Sequence, residues 1–212
     1  MIGTYIVILW LTLFTIVSYS LCKYLNISGL LCVIFVWTFL MGFVAIFEML
    51  LIYYYEYLET RGKKYYAENK CYWSEDNNLL DIFSYKLYMD LYADYSLCDK
   101  RYCENMRTSE GNRFVFLGEV IHGIFCIIMT TIILYFYFID FNEVYIYLSS
   151  IIFSAIQFAL IVWYLASIFY EMKFVKNELV WYPPLLWNVP WVIIPLYIIY
   201  YGTLKIVTPP TI

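Results

Sequence analysis

Charge is scarce in this chain of 212 residues, since only 14% are Asp, Glu, Lys or Arg, against about a quarter in soluble domains. The net charge is −4 and no basic tail is present, so the electrostatic footprint of a nucleic-acid-binding protein is missing and we expect no nucleic-acid partner. Hydrophobic residues make up 64% of the chain and aromatic residues 23%. These proportions predict an all-α integral membrane protein.

Patterns that bind metals are also missing. Histidine occurs once, and the six cysteines form no CxxC pair and no Cys/His spacing typical of zinc, so we expect neither a metal nor a cofactor. Cys71, Cys98 and Cys103 fall in one polar stretch, where a disulfide and free thiols are both open possibilities. The other three cysteines lie in apolar segments and are interpreted as small hydrophobic residues.

Long apolar segments fill most of the sequence and predict a single membrane domain, residues 1–212, built as a five-transmembrane-helix bundle. The first segment has no basic residues before it and no small-residue cleavage site after it, so we interpret it as a retained helix rather than a signal peptide. The predicted helices cover about 5–21, 30–58, 114–139, 144–170 and 185–203.

The polar loop 59–113 separates the second and third predicted helices. It carries many aromatic residues, and apolar residues recur at helical spacing between Leu79 and Leu91, passing through Ile82, Phe83 and Leu87. This pattern predicts an amphipathic helix near 79–95 that lies on the membrane or caps the bundle. The nine Lys and Arg residues of the loop favour a cytosolic position, although its ten acidic residues weaken that indication.

Two carboxylates, Glu48 and Glu119, lie inside apolar segments, where a charged group costs about 2.5–3.5 kcal/mol on insertion scales. Glu48 has no Lys or Arg within two helical turns. It is either a structural hydrogen-bonding group or a functional acid, and we favour the functional interpretation. Glu119 and His122 are separated by three residues and share one helical face, so they are candidates for a proton relay or for a mutually satisfied pair.

Four further residues complete the predicted site. Asn188 and Trp191 share one face of the fifth predicted helix, and the indole could pack or stabilise a cation by about 0.5–2 kcal/mol. Gln157 and Tyr164, in the fourth predicted helix, are assigned with them to substrate binding, with an interhelical hydrogen bond as the alternative for Gln157. The catalytic assignment is Glu48, Glu119 and His122.

Three stretches resemble a known family when they are taken in order. The stretch Asp94–Tyr102, followed by Phe114 and Glu119, is similar to the region that leads into the third helix of the emopamil-binding protein family, the sterol delta-8,delta-7-isomerases. Phe47–Glu56 resembles the second helix of that family, and Asn188–Pro195 resembles its fifth. The likeness covers about residues 40–202 and extends to the wider EXPERA superfamily, which includes the sigma-2 receptor.

The resemblance implies a five-helix bundle with a membrane-embedded ligand cavity in the endoplasmic reticulum membrane, and a homodimer. It also implies a lumenal loop 59–113 and a cytosolic C-terminus, and we favour this topology over a cytosolic loop. It also implies a cofactor-independent reaction: an acid protonates a ring alkene, a carbocation forms, and a base removes a neighbouring proton. In the isomerases a histidine precedes the second-helix glutamate by one turn, but this chain has Val44 there. His122 stands where the isomerases have a hydroxyl residue.

Two functions follow from the resemblance. The first, which we favour, is an isomerase that shifts a ring double bond in a sterol or related polycyclic lipid. The second is a non-catalytic protein of the sigma-2 receptor type, which binds sterols and cationic amphiphilic amines or moves lipids. Val44 favours the second function, whereas Asn188 and Trp191 favour the first. Membrane lipid surrounds the protein in either case.

Overall fold

Helices are the only regular elements in the part of the chain that the computed structural model describes. That part comprises residues 3–27, 29–68, 84–97, 99–102, 110–170 and 183–208, with residues 78, 80 and 107. The helices are α1 (Gly3–Tyr24), α2 (Gly29–Glu68), α3 (Tyr85–Asp94), α4 (Glu110–Phe138), α5 (Glu143–Tyr170) and α6 (Pro183–Val207). Two short 3-10 turns, Tyr95–Leu97 and Lys100–Tyr102, follow α3. The prediction of an all-helical chain is therefore confirmed for these residues.

Four of the helices are long and apolar enough to cross a membrane. The qualifying stretches are Gly29–Glu68, Val115–Phe138, Glu143–Ser167 and Asn188–Val207. A shorter apolar stretch, Ile8–Tyr24, belongs to α1. A helix of 20 residues is about 30 Å long, which matches the hydrocarbon core of a bilayer. The four long helices support a multi-pass membrane protein.

Helix α2 continues beyond the point where the sequence predicted a loop. The prediction that a loop begins at residue 59 is wrong for residues 59–68, which extend α2 to Glu68. Its charged residues made the stretch look like a loop in the sequence. In the structure its buried face continues through Leu58, Gly62 and Tyr65, at spacings of four and three residues. Non-helical backbone angles at Tyr54 (φ −114°, ψ 16°) kink the helix between its apolar part and this extension.

Helix α3 is the described part of the predicted amphipathic helix. It begins at Tyr85 rather than at residue 79, because Ser84 is the N-cap and its hydroxyl accepts a hydrogen bond of 3.2 Å from the Lys86 backbone N–H. Leu79, Ile82 and Phe83 lie outside the described residues. Leu87 of α3 is buried in a cluster with residues of α2 and α4, so α3 caps the bundle.

The core has two hydrophobic clusters, and α2 contributes to both. One joins α2 to α3 and the start of α4, around Leu51, Leu58 and Tyr65. The other joins the first part of α2 to α4, α5 and α6, around Phe35 and Phe153. Because α2 packs against almost every other helix, a polar side chain on its inner face meets partners from several elements.

Gly123 allows α4 to approach α2 closely. A Cβ atom at this position would lie 3.1 Å from the Glu48 Cβ and 3.3 Å from the Ala45 carbonyl oxygen. Gly42 has a similar place in the same interface, because a Cβ there would lie 2.9 Å from Cγ2 of Thr130. Small residues at such contacts let helix backbones approach each other in a membrane.

Gly123→Ala is therefore expected to lower the free energy of unfolding by about 1–3 kcal/mol, the usual cost of forcing extra atoms into a packed core. Thermal unfolding in detergent measures the change. Gly118→Ala is the matched control on the same helix, because a Cβ there meets no heavy atom within 4 Å. Equal stability of the two variants would contradict the close approach of α2 and α4.

Three of the six cysteines lie among the described residues. Cys71, Cys98 and Cys103 lie outside the described residues, so the two alternatives for them, a disulfide and free thiols, are not tested. Cys22, Cys32 and Cys126 are free thiols, and Cys22 and Cys126 are fully buried. Cys126 has polar neighbours, which gives it a part in the site.

Candidate functional site

Glu48 and His122 form the centre of the candidate site. Nδ1 of His122 lies 2.9 Å from both carboxylate oxygens of Glu48, across the contact between α2 and α4. Only 4% of the Glu48 side chain and 16% of the His122 side chain is exposed. Gly123, next to the histidine in sequence, leaves the space that the carboxylate occupies. An imidazole bonded to a buried carboxylate is a unit that can hold and transfer a proton.

A chain of polar contacts continues from the other side of the imidazole. Nε2 of His122 lies 3.3 Å from Sγ of Cys126, one helical turn further along α4. The Gln157 amide nitrogen lies 3.8 Å from the same sulfur, and its Oε1 accepts a 3.0 Å hydrogen bond from Nε1 of Trp37. Both ends of the Gln157 amide thus have protein partners, which agrees with the alternative of an interhelical hydrogen bond better than with the predicted contact to substrate.

Glu119 does not pair with His122 as the sequence spacing suggested. The Tyr102 hydroxyl donates a hydrogen bond of 2.5 Å to Oε1 of Glu119, while His122 turns to Glu48. The expected Glu119–His122 relay is therefore corrected to two separate pairs. The reason is that a helical spacing places two side chains on one face but does not decide which neighbouring element supplies the better partner.

Tyr92, on α3, lies next to both pairs. Its hydroxyl donates a hydrogen bond of 3.4 Å to Oε1 of Glu48. Burial, followed by the charges of Glu48 and Glu119, raises the pKa of Tyr92 well above its usual range. Burial and then the Glu119 charge likewise raise the pKa of Tyr102. Both phenols thus keep their protons near neutral pH and act as hydrogen-bond donors to the two carboxylates.

A buried ion pair holds Tyr102 in place. Nη2 of Arg101 lies 2.7 Å from Oδ2 of Asp99, and both side chains are almost fully buried. Arg101 also donates a 3.0 Å hydrogen bond to the Ser167 hydroxyl, which ties the 3-10 turn to α5. Tyr164, a predicted binding residue, lies nearby, since its ring packs edge-on against Tyr95 at 6.3 Å. The structure therefore brings Tyr164 to the Glu119 side of the site.

Trp191 and Asn188 lie on α6, and the structure connects Trp191 to the site indirectly. The ring of Trp191 packs edge-to-face against Trp37, with centroids 5.4 Å apart and an interplanar angle of 74°. Trp37 precedes Glu48 by eleven residues, which is about 16 Å along a helix axis. Asn188 is buried, with 6% of its surface exposed. Trp191 thus reaches the acids through Trp37, Gln157 and Cys126 rather than by direct contact.

An apolar groove of about 510 Å³ lies between α1, α2 and α3. It has a mainly aromatic lining, and none of the predicted site residues contributes to it. This volume lies within the range of small-molecule sites, about 300–1,000 Å³. The lining residues are Trp10, Leu13, Phe14, Val17, Phe39, Phe43, Phe47, Leu50, Ser84, Tyr85 and Tyr88.

Sequence reasoning missed several residues of the site. Tyr92 comes from the polar loop, where nothing distinguishes it from other tyrosines. Tyr102 ends the stretch Asp94–Tyr102 that carries the resemblance, but it was not assigned to the site. Trp37 was one of many aromatic residues in a continuous apolar run. Cys126 could have been found, because it follows His122 by four residues and so shares its helical face.

Comparison with known proteins identifies no relative. No protein-family model, no curated protein and no solved structure matches this chain.

Proposed function

We propose that this protein is a cofactor-independent isomerase that shifts a ring double bond in a sterol or a related polycyclic lipid. The observation that carries the proposal is the Glu48–His122 pair, with its 2.9 Å contacts between two helices of an apolar bundle. The Glu119–Tyr102 pair supplies a second proton-transfer group. Moving a double bond requires one proton donor and one proton acceptor, and the site contains a candidate for each.

The proposed reaction has two proton transfers. An acid adds a proton to one alkene carbon, and the positive charge develops on the neighbouring carbon. A base then removes a proton from the next carbon, and the double bond forms at its new position. One pair, Glu48–His122 or Glu119–Tyr102, acts as the acid and the other as the base. The Tyr92 hydroxyl lies 3.4 Å from Oε1 of Glu48, so it is placed to relay a proton back to this carboxylate.

The position of the imidazole supports a rearranged version of the isomerase site. The sterol isomerases that this chain resembles have a histidine one turn before the glutamate of the second helix, where this chain has Val44. In this structure His122 reaches Glu48 from α4 instead. The same pair of functional groups is thus present with the imidazole contributed by a different helix.

The reaction can be tested directly with purified protein in detergent. A delta-8 sterol is incubated with the protein in deuterated water, and the product is analysed by mass spectrometry. The proposal expects an isomer that carries one deuterium, because the added proton comes from an exchangeable side chain. A sterol recovered without deuterium and without isomerisation would reject the catalytic function.

Trp191→Leu is expected to weaken the binding of a cationic amine more than that of a neutral sterol of the same shape. Both ligands lose apolar contact, but only the cation loses the attraction of the indole face, about 0.5–2 kcal/mol or up to roughly 30-fold in affinity. Competition binding with the matched ligands measures the difference. Trp163→Leu is the control, since Trp163 lies on the exposed face of α5. Equal losses of affinity for both ligands would show that Trp191 only packs against Trp37 and does not stabilise a cation.

A second candidate function, non-catalytic binding of sterols or cationic amphiphilic amines, is favoured by the groove between α1, α2 and α3. Its lining is aromatic and aliphatic and contains no carboxylate, so it suits an apolar ligand without offering a proton path. The deuterium experiment separates the two functions. Binding of the sterol with no isotope incorporation would favour this second candidate.

The finer architecture is also part of the proposal. We infer that α1 crosses the membrane as a fifth span, because its 22 residues extend over about 33 Å. An endoplasmic reticulum location and a homodimer follow from the resemblance to the sterol isomerases. Glycosylation sites engineered at the ends of α1 would test the fifth span, since the two ends must show opposite accessibility.

A further inference from the structure

We propose that Glu48, His122 and Cys126 form a zinc-binding site within the membrane bundle. One potential ligand atom from each residue lies within 4.8 Å of the other two. The residues come from two helices, with His122 and Cys126 one turn apart on α4 and Glu48 facing them from α2. This inference goes beyond the isomerase, and it depends on the ligand atoms rather than on any proton transfer.

The His122–Cys126 pair already has the spacing of two zinc ligands. Their Nε2 and Sγ atoms are 3.3 Å apart. A tetrahedral zinc ion with Zn–N of about 2.0–2.1 Å and Zn–S of about 2.3 Å separates two such ligands by about 3.5 Å. Glu48 contacts the opposite ring nitrogen, so binding of one ion by all three residues requires the imidazole ring or the carboxylate to rotate. Because position 123 has no Cβ, the carboxylate has space beside α4.

The ligand set selects the metal. Magnesium and calcium prefer oxygen ligands alone, whereas zinc accepts thiolate, imidazole and carboxylate together. Three protein ligands leave a fourth position open, as in catalytic zinc sites. The Gln157 amide nitrogen, 3.8 Å from the sulfur, can stabilise a thiolate by donating to it, because Trp37 fixes the amide with its oxygen pointing away.

Charge compensation supports a divalent ion at this place. Glu48 and Cys126 are buried, and Cys126 has no exposed surface. A zinc ion that binds here displaces the thiol proton of Cys126, and the resulting thiolate together with the Glu48 carboxylate carries two negative charges, which would be expensive to bury without the ion. A neutral His122 and a dication bring the formal charge of the site to zero. An ion here would occupy the lone pairs of Glu48 and His122, so zinc is expected to inhibit the proposed isomerisation.

The test uses the full chain in detergent and cobalt(II), which stands in for zinc and reports its ligands by absorption. We expect about one equivalent of cobalt to bind with a thiolate-to-metal charge-transfer band in the near ultraviolet, and zinc to displace it. Cys126→Ser should abolish this band and weaken binding at least about 100-fold, the upper end of the loss from an outer-sphere partner. Absence of the band in the wild type, or its persistence in Cys126→Ser, would overturn the proposal.

Two controls assign the signal to this site. Cys32→Ser removes another thiol of an apolar segment. The triple variant Cys71→Ser, Cys98→Ser, Cys103→Ser removes the thiols of the polar stretch. Both variants should keep the band. Loss of the band in either variant would place the metal elsewhere and reject the site. If Cys126→Ser does not fold, X-ray absorption of the zinc-loaded wild type decides the matter. One sulfur ligand at about 2.3 Å with nitrogen and oxygen ligands supports the proposal, and any other sulfur count rejects it.

Discussion

His122→Ala is expected to lower the rate of sterol isomerisation by about 10²–10⁴-fold, the usual scale of general acid–base catalysis. The imidazole is the direct partner of Glu48, with Nδ1 2.9 Å from both carboxylate oxygens, and the chain has no second histidine to replace it. The rate is measured as deuterium-labelled product per unit of folded protein. A variant within about tenfold of the wild-type rate would remove histidine from the mechanism.

Loss of activity could also come from a damaged fold, so a rescue variant is the sharper test. Val44 lies one helical turn before Glu48 on α2, and a histidine at this position can reach the carboxylate from the same helix. Adding Val44→His to His122→Ala should restore part of the lost turnover. The change leaves the α4 side untouched, so recovery would show that an imidazole next to Glu48 is the required group. No recovery in a stably folded double variant would speak against a rearranged relay.

Glu119→Gln is expected to abolish isomerisation while leaving the bundle folded. Glutamine keeps the size of the side chain and can still accept the hydrogen bond from Tyr102, but it cannot exchange a proton with a substrate. The same deuterium assay measures activity, and thermal unfolding measures stability. Glu143→Gln is the matched control, because this carboxylate is exposed at the start of α5. Full activity of Glu119→Gln would exclude the second proton-transfer pair.

Tyr102→Phe separates the role of the carboxylate from that of its phenol partner. The acid remains, so turnover should fall less than in Glu119→Gln. The loss of a hydrogen bond to a charged group typically amounts to about 1.5–3 kcal/mol, or roughly 10–150-fold if the bond forms only in the transition state. A loss as large as that of Glu119→Gln would make the phenol itself a proton donor to the substrate.

The sequence predicts well those features that depend on local composition. Long apolar runs set the positions of α4, α5 and α6 because a helix satisfies its own backbone hydrogen bonds in lipid. The presence of Glu48 and Glu119 inside such runs identified them as candidates before any contact was known. Where charge interrupts an apolar pattern, the prediction fails: the extension of α2 to Glu68 was interpreted as loop because its buried face is narrow.

The partners of the two carboxylates could not be predicted, because they depend on packing between distant elements. Glu48 and His122 are 74 residues apart in sequence, and their contact requires α2 and α4 to meet at Gly123. Spacing alone favoured Glu119 for His122, since the two share a helical face. Instead, Tyr102 donates a hydrogen bond to Glu119. The position of Tyr102 depends on an ion pair between Asp99 and Arg101, which forms only in the folded turn.

The Glu48–His122 contact has a consequence for the synthesis and membrane insertion of the protein. Because His122 follows Glu48 by 74 positions, it is synthesised about 4–15 s later at roughly 5–20 residues per second. During that interval α2 sits in or beside the bilayer with a carboxyl group that lacks its imidazole, at an insertion cost of about 2.5–3.5 kcal/mol. The favourable insertion of the many apolar residues of α2 offsets this cost until α4 is inserted beside it. A nascent chain that stalls before α4 thus carries a membrane carboxyl group without its imidazole partner.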